Sequence, residues 1–192
     1  MHKVKKADGS IDKEAGIAQK KKFIAKLVKL YEGNLKVDRV TVPLMKTTEM
    51  LLAADYLSDP EVQDDIKEIH TLAVRECNKS KNIVKLMSGV GVFAGMMQTP
   101  DVELCKKSVK TLLFLLYHTF PKVRQLAAEK LYTGLLTMES YDDLVPGGED
   151  AYEEANDLLS ETNWAEDVKK LTAETKVQMY KLFGHEIKLK EK

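Results

Sequence analysis

Hydrophobic residues recur along this chain at intervals of three and four positions, the spacing that places them on one face of an α-helix. One such stripe lies within residues 62–77, and others follow within 83–97, 102–116 and 123–138. No segment alternates polar and apolar residues between turn signals, as a half-buried strand would. The pattern therefore predicts an all-α protein.

Prolines predict where several of these helices begin. The N–H groups in the first turn of a helix have no partner within the helix, so a proline there loses no hydrogen bond. Pro43, Pro60, Pro100 and Pro121 each open an apolar helical pattern, and one more helix is expected to begin near Lys81. The N-cap residues predicted for three of these helices are Asp59, Thr99 and Ser80.

The spacing of these starts predicts the architecture. They lie roughly 20 residues apart, so a helical pair takes roughly 40 residues, the period of HEAT-like arrays. Earlier and later helices at about 14–31, 151–160 and 164–183 bring the total to about eight. We predict an α-solenoid of HEAT-like helical hairpins. Its expected parts are a basic N-terminal cap helix (1–36), HEAT-like repeats (37–138), an acidic loop (139–150), a C-terminal helical pair (151–184) and a charged tail (185–192).

The segment 120–131 has the pattern of the second helix of a HEAT repeat: proline, then Val-Arg, small alanines and leucine. Small residues let neighbouring helices approach closely. Arg124, near the helix start, can reach a turn carbonyl or an acid of the adjacent repeat. We therefore interpret Arg124 as a structural residue and not as a ligand contact.

Charge is balanced overall and segregated locally. The chain has 30 Lys and Arg against 30 Asp and Glu, which argues against nucleic acid or an anionic membrane as the main partner. Residues 1–36 nevertheless hold ten lysines against four acids, and residues 139–167 hold eleven acids and no Lys or Arg. Solvated faces are the ordinary interpretation of such blocks, and docking patches are the alternative.

The cysteines and the apolar runs indicate the compartment. Cys77 and Cys105 form no disulfide framework and no metal spacing, and a reduced compartment suits them. The start of the chain is charged, and the longest apolar run, 112–117, is far shorter than the ~20 residues of a membrane span. We expect a cytosolic protein without a membrane span.

The sequence patterns that could indicate a catalytic, nucleotide or metal site lack the structural context that such a site needs. The run Gly89-Val90-Gly91 resembles part of a phosphate-binding fingerprint but lies inside a helical pattern, so close helix packing explains it better. The four histidines lack metal-ligand spacing, and His70 is expected to be a satisfied histidine at the edge of the core. We predict no enzyme activity, no metal and no cofactor.

The candidate partner-binding residues lie in three places. Lysines at 20, 21, 22 and 26 belong to an amphipathic first helix, which would either cap the array or grip an acidic partner or membrane surface. Trp164, the only tryptophan, is a packing residue or an exposed interface anchor. The candidates are Lys20, Lys21, Lys22, Lys26, Lys122 and Trp164.

Several segments resemble one family in consistent order over about three-quarters of the chain. They are Asp38-Arg39-Val40-Thr41-Val42-Pro43-Leu44-Met45-Lys46-Thr47, Ser80-Lys81-Asn82-Ile83-Val84-Lys85-Leu86-Met87-Ser88-Gly89, Val92-Phe93, Phe120-Pro121-Lys122-Val123-Arg124, Leu159-Ser160-Glu161-Thr162-Asn163-Trp164 and Leu182-Phe183-Gly184. The chain thereby resembles the C-terminal region of tubulin-specific chaperone D, also called tubulin folding cofactor D.

This resemblance implies a scaffold or chaperone module of a longer HEAT-repeat protein. It would bind β-tubulin or the αβ-tubulin dimer and work with cofactors E and C and an ADP-ribosylation-factor-like small GTPase. Such an assembly makes or takes apart the αβ-tubulin dimer and stimulates GTP hydrolysis by tubulin, while the family supplies grip and no hydrolytic groups. The implied location is the cytoplasm, and association with the microtubule cytoskeleton stays open.

Three other functions stay open on the sequence. A generic HEAT-repeat adaptor for an unrelated protein partner would have the same pattern. A nucleic-acid-binding helical repeat is disfavoured by zero net charge and by the lack of a continuous basic stripe. An enzyme is disfavoured because no catalytic constellation occurs.

Overall fold

A computed structural model describes residues 13–57, 59–138 and 140–186. Residues 1–12 of the predicted N-terminal cap and residues 187–192 of the predicted charged tail lie outside these ranges. The described residues form helices and no strand, which confirms the predicted all-α class. The helices are α1 (Lys13–Gly33), α2 (Asp38–Ala53), a 3₁₀ helix (Pro60–Val62), α3 (Gln63–Cys77), α4 (Ile83–Met96), α5 (Val102–Leu115), α6 (Pro121–Thr137), α7 (Gly148–Glu161), α8 (Val168–Glu174) and α9 (Lys176–Leu182).

The helices stack in two layers. Helices α1, α3 and α5 form one layer, and α2, α4 and α6 form the other. The hairpins α3–α4 and α5–α6 pack across the layers, α7 continues on α6, and α9 packs on α7 and α8. The predicted helical-repeat solenoid is therefore confirmed.

Helix α4 is the centre of the core because α2, α3, α5 and α6 all pack against it. Leu86, Val90, Phe93 and Met96 are fully buried there. Burying a large apolar side chain contributes about 1.5–3 kcal/mol. An almost uniformly apolar α4 is what such a surrounded helix requires.

Glycines on α4 allow α2 to lie close to it. A Cβ atom on Gly95 would lie 2.8 Å from the Cβ of Leu52, and one on Gly91 would overlap the carboxylate of Glu49. The close-packing interpretation of the glycine motif is confirmed.

Two predicted starts are correct. Pro60 opens the 3₁₀ helix, where the Asp59 carboxylate accepts a hydrogen bond from the Glu61 N–H at 3.1 Å. Pro121 is the first residue of α6.

The prediction that Pro43 opens a helix is wrong. Helix α2 begins at Asp38, so Pro43 lies inside it. A proline there removes one backbone donor, and the packing of α2 along α4 outweighs that loss.

The starts predicted near Lys81 and Pro100 are wrong by two residues each, because a different side chain caps each helix. Asn82 caps α4 by accepting from the Lys85 N–H at 3.1 Å, while Ser80 accepts from the N–H of Asn82. Asp101 caps α5 in the same way, accepting from the Leu104 N–H at 2.8 Å. The hydroxyl of Thr99 instead donates to the carbonyl of Met96, at the end of α4.

The single helix predicted at 164–183 is also wrong. The chain turns until Asp167, which caps α8, and the helix breaks at Thr175, where φ is −120°. The Thr175 hydroxyl donates to the Leu171 carbonyl at 2.8 Å, so the break between α8 and α9 carries its own hydrogen bond.

Candidate protein-binding surfaces

Two of the four predicted α1 lysines are held by the segment between α2 and α3. The Lys20 Nζ lies 3.3 Å from the Asp59 carboxylate and 5.2 Å above the ring of Tyr56. The Lys21 Nζ lies 2.8 Å from the Glu61 carboxylate, whose hydrogen bond and charge raise the pKa of that lysine. These contacts fasten α1 to the array.

The other two lysines are exposed on the opposite side of α1. Lys22 and Lys26 are four residues apart, and neither forms an ion pair with any residue between 13 and 186 that the structure describes. Lys29 continues the same face and is also exposed. The buried side of α1 carries Ile24 and Tyr31, so the outer side is a basic face free to meet a partner. We call Lys22, Lys26 and Lys29 the α1 basic face.

Lys122 and Trp164 lie elsewhere in the array. Lys122 is exposed in the first turn of α6, and α6 packs on α4, α5 and α7, not on α1. Trp164 is only 5% exposed. Its indole N–H donates to the Leu159 carbonyl at 2.8 Å, and its ring meets Tyr117 edge-on at 6.0 Å. The packing interpretation of Trp164 fits this geometry, so the ring offers no exposed anchor.

Arg124 has the structural role predicted for it. Its guanidinium is buried and donates to the carbonyls of His118 (2.8 Å) and Thr119 (3.1 Å) in the turn before α6. It also donates to the carbonyls of Trp164 (2.9 Å) and Glu166 in the turn before α8. Because one planar group serves both turns, Arg124 sets the position of the C-terminal helices on the array.

A buried charge cluster joins α2, α3, α4 and the connection before α2. Lys85 of α4 lies 2.7 Å from the Glu76 carboxylate of α3 and 2.5 Å from the Asp38 carboxylate at the start of α2. Glu76 also accepts from the backbone N–H of Lys36. Burial opposes the charge of Lys85, but the two carboxylates outweigh it and raise the pKa of the ammonium group.

Asp38 completes this cluster from its more exposed side. Its second oxygen accepts from the Asn82 amide at 2.7 Å. The hydrogen bonds from Lys85 and Asn82 lower the pKa of Asp38. The same asparagine caps α4, so one residue links the starts of α2 and α4.

Helix α7 presents an acidic row to solvent. Asp150, Glu153, Glu154, Asp157 and Glu161 recur at three-to-four-residue spacing and are all exposed. We call them the α7 acidic row. The preceding segment is anchored, since Leu144 and Val145 are buried and the Tyr141 ring stacks on that of Tyr152 at 3.9 Å.

The groups considered for chemistry are placed for packing. Among the described residues no group of three or more His, Cys, Asp and Glu side chains could hold a metal. His70 is buried beside Phe93, at 5.3 Å between ring centroids. The expectation of a satisfied histidine is wrong for one ring nitrogen, because Nε2 has no hydrogen-bond partner among the residues that the structure describes. No helix in the described ranges has the length and apolarity needed to cross a membrane.

Comparison with known families identifies part of the chain. Residues 8–85 match the family model described as tubulin folding cofactor D C terminal. We call residues 8–85 the cofactor D segment, because they are similar to that family. The recognition made from sequence motifs is thereby confirmed. No solved structure matches the chain.

The cofactor D segment covers about two-fifths of the chain. It takes in α1, α2 and α3 and ends at Lys85 in the buried charge cluster. Two sequence segments that carried the resemblance meet there, through Asp38 and Asn82. The α1 basic face also lies inside the cofactor D segment, while Lys122 and Trp164 lie outside it.

Sequence reasoning missed the charge cluster, although a signal was present. Lys85 is the only charged residue in the stretch 83–97. A lone charge on a helix that is apolar on every side has to be buried, and a buried ammonium group needs carboxylate partners. The identity of those partners, Glu76 and Asp38, depends on the packing of three helices and could not be read from spacing.

Proposed function

We propose that the chain is a non-catalytic scaffold module that binds tubulin, other tubulin cofactors, or both, during assembly or disassembly of the αβ-tubulin dimer. The observation that carries the proposal is the family match over residues 8–85. The α1 basic face inside the matched segment supports it, because its exposed lysines form no ion pair with another described residue and are available to an acidic client.

The α1 basic face acts in this proposal by steering and holding. Tubulin is an acidic protein, and opposite charges on two surfaces raise the rate of encounter at low salt. Lys22 and Lys26 supply that attraction. Lys20 and Lys21 keep α1 in position through Asp59 and Glu61, so they support the face more than they form it.

The remaining partners follow from the family. We extend the proposal to β-tubulin or the αβ-tubulin dimer as client, and to cofactors E and C and an ADP-ribosylation-factor-like small GTPase as co-workers in the cytoplasm and near microtubules. The α7 acidic row repels an acidic client and suits a basic cofactor. In this scheme the chain holds its partners, and GTP hydrolysis belongs to tubulin.

Charge reversal tests the α1 basic face. We expect K22E/K26E to slow association with αβ-tubulin by about tenfold at low salt and by much less at high salt, because the steering force is screened. The measurement is association kinetics on immobilised tubulin at two ionic strengths. The matched control is K46E, which reverses an exposed lysine on α2.

K20E/K21E separates anchoring from contact. Because it replaces two attractive internal pairs by repulsive ones, we expect it to loosen α1 and lower the melting temperature, an effect that K22E/K26E lacks. Equal association rates for K22E/K26E and K46E at low salt would remove the α1 basic face from the proposal.

A generic HEAT-repeat adaptor is the second candidate, because residues 86–192 lie outside the family match. It predicts a well-folded chain that does not bind tubulin at any salt concentration. Direct titration against αβ-tubulin therefore distinguishes the two functions.

A further inference from the structure

A second basic surface lies at the other end of the array, where the end of α5 meets α9. Tyr117, just after α5, packs against Tyr180 of α9 at 6.3 Å, and its hydroxyl meets that of Thr175 at 3.1 Å. The Lys176 ammonium group lies 5.3 Å above the Tyr117 ring and 5.7 Å above the Tyr180 ring. Two aromatic rings therefore hold one lysine in place at this seam.

More cations continue the surface along α5. Lys110 lies seven residues before Tyr117, two helical turns away on the same side. Burial and the charge of Lys110 lower the pKa of His185, and the His185 ring lies 6.2 Å from that of Tyr180. His185 also lines one cavity with Lys106 and Val109 of α5, so Lys110, His185, Tyr180 and Lys176 line the same seam.

The two lysines of this seam are unpaired within the part of the chain that the structure describes. Neither Lys110 nor Lys176 forms an ion pair with a carboxylate in the described ranges 13–57, 59–138 and 140–186, whereas the nearby Lys106 pairs with Asp143 at 3.3 Å. Cations without a paired carboxylate raise the local positive potential. The seam is therefore built to attract an anionic group from outside.

Exposed apolar side chains border the same seam. Phe114 is 65% exposed and lies four residues after Lys110 on α5. Val177 is 42% exposed and follows Lys176 on α9. A protein partner that supplies carboxylates to the lysines and an apolar side chain to Phe114 would match both features at once.

The neighbouring surface decides between a peptide and a nucleic acid. On its other side α9 borders the α7 acidic row, since the Gln178 amide donates to the Glu154 carboxylate. A long polyanion such as RNA would run from the seam into these acids and be repelled. A short acidic segment fits within the seam.

We propose that the α5–α9 seam is a docking site for a short acidic peptide segment of a protein partner, with an apolar or aromatic side chain placed on Phe114. Lys110 and Lys176 bind the carboxylates. This surface is separate from the α1 basic face and does not depend on the identity of the client proposed above.

Fluorescence anisotropy of the whole chain with a labelled synthetic peptide tests the proposal. The probe is a twelve-residue Glu-rich peptide with one central Phe. We expect saturable, salt-sensitive binding that K110E/K176E weakens by about tenfold at low salt. F114S should weaken binding at every salt concentration without changing the salt dependence, because it removes an apolar contact.

The controls separate the seam from general charge effects and from misfolding. K46E/K79E reverses two exposed lysines elsewhere and should bind as the unmodified chain does. The single K110E changes no ring contact, so it retains the test if K176E disturbs the fold. Equal binding by K110E and K46E/K79E would overturn the proposal. Displacement of the peptide by an oligothymidine of equal length and concentration would overturn its choice of partner.

Discussion

The buried charge cluster provides the sharpest test of how α2, α3 and α4 are held together. In K85M the ammonium group is removed while the size of the side chain is kept. Glu76, whose side chain is 1% exposed, would then be a buried carboxylate without a cation. Breaking a buried ion pair on one side costs about 3–5 kcal/mol, against a total stability of about 5–15 kcal/mol for a protein of this class.

The double variant E76Q/K85M shows whether charge is the cause. Glutamine keeps a carbonyl oxygen for the Lys36 N–H, which Glu76 now binds, and it removes the uncompensated charge. Asp38 stays solvated and bonded to Asn82. We therefore expect the double variant to be more stable than K85M alone, by about 2 kcal/mol or more.

Urea unfolding followed by circular dichroism at neutral pH measures these differences, and K46M is the matched control on an exposed lysine. At ~2–4 °C per kcal/mol for a chain of this length, K85M should also melt roughly 6–20 °C lower. A K85M variant within about 1 kcal/mol of K46M would refute the reasoning, and so would a double variant less stable than K85M.

Two further predictions concern pH and packing. Burial, and then the charge of Lys107, lowers the pKa of His70 to about 4. The unfolded chain therefore binds more protons between pH 6.5 and 4, and stability falls as pH drops through that window, by about 3 kcal/mol at ~1.4 kcal/mol per pKa unit. H70L should flatten this part of the stability profile in urea unfolding at several pH values, and an unchanged slope would contradict the assignment. For packing, G95A should lower stability by about 1–3 kcal/mol because its Cβ meets Leu52. G16A, where nothing lies within 4 Å of the added Cβ, should raise stability by up to about 1 kcal/mol, and thermal melts that rank the two variants the other way would contradict the packing.

The sequence predicted the helical class and the array of helical hairpins because apolar periodicity records which face of each helix is buried. It also predicted the role of Arg124, since an arginine near a helix start has turn carbonyls within reach. Helix starts were less predictable. Asn82 and Asp101 cap helices that Ser80 and Thr99 could also have capped. Which residue becomes the cap depends on tertiary partners. Asn82 donates to Asp38, and Asp101 pairs with Lys67.

The candidate site was only partly readable for the same reason. A run of three lysines at 20–22 looks uniform in sequence. In the fold, Lys20 and Lys21 meet Asp59 and Glu61, while Lys22 faces solvent. Asp59 and Glu61 lie far from these lysines along the chain, so spacing alone could not separate the lysines that anchor α1 from those available to a partner. The α5–α9 seam depends likewise on a contact between distant helices.

We propose above all that this chain binds a tubulin client. A direct binding titration of the purified chain against αβ-tubulin at two salt concentrations tests this proposal. The account predicts saturable binding that weakens at the higher salt concentration, because lysines of the α1 basic face contribute attraction. Absence of binding at both salt concentrations, with a chain shown to be folded by circular dichroism, would contradict the claim.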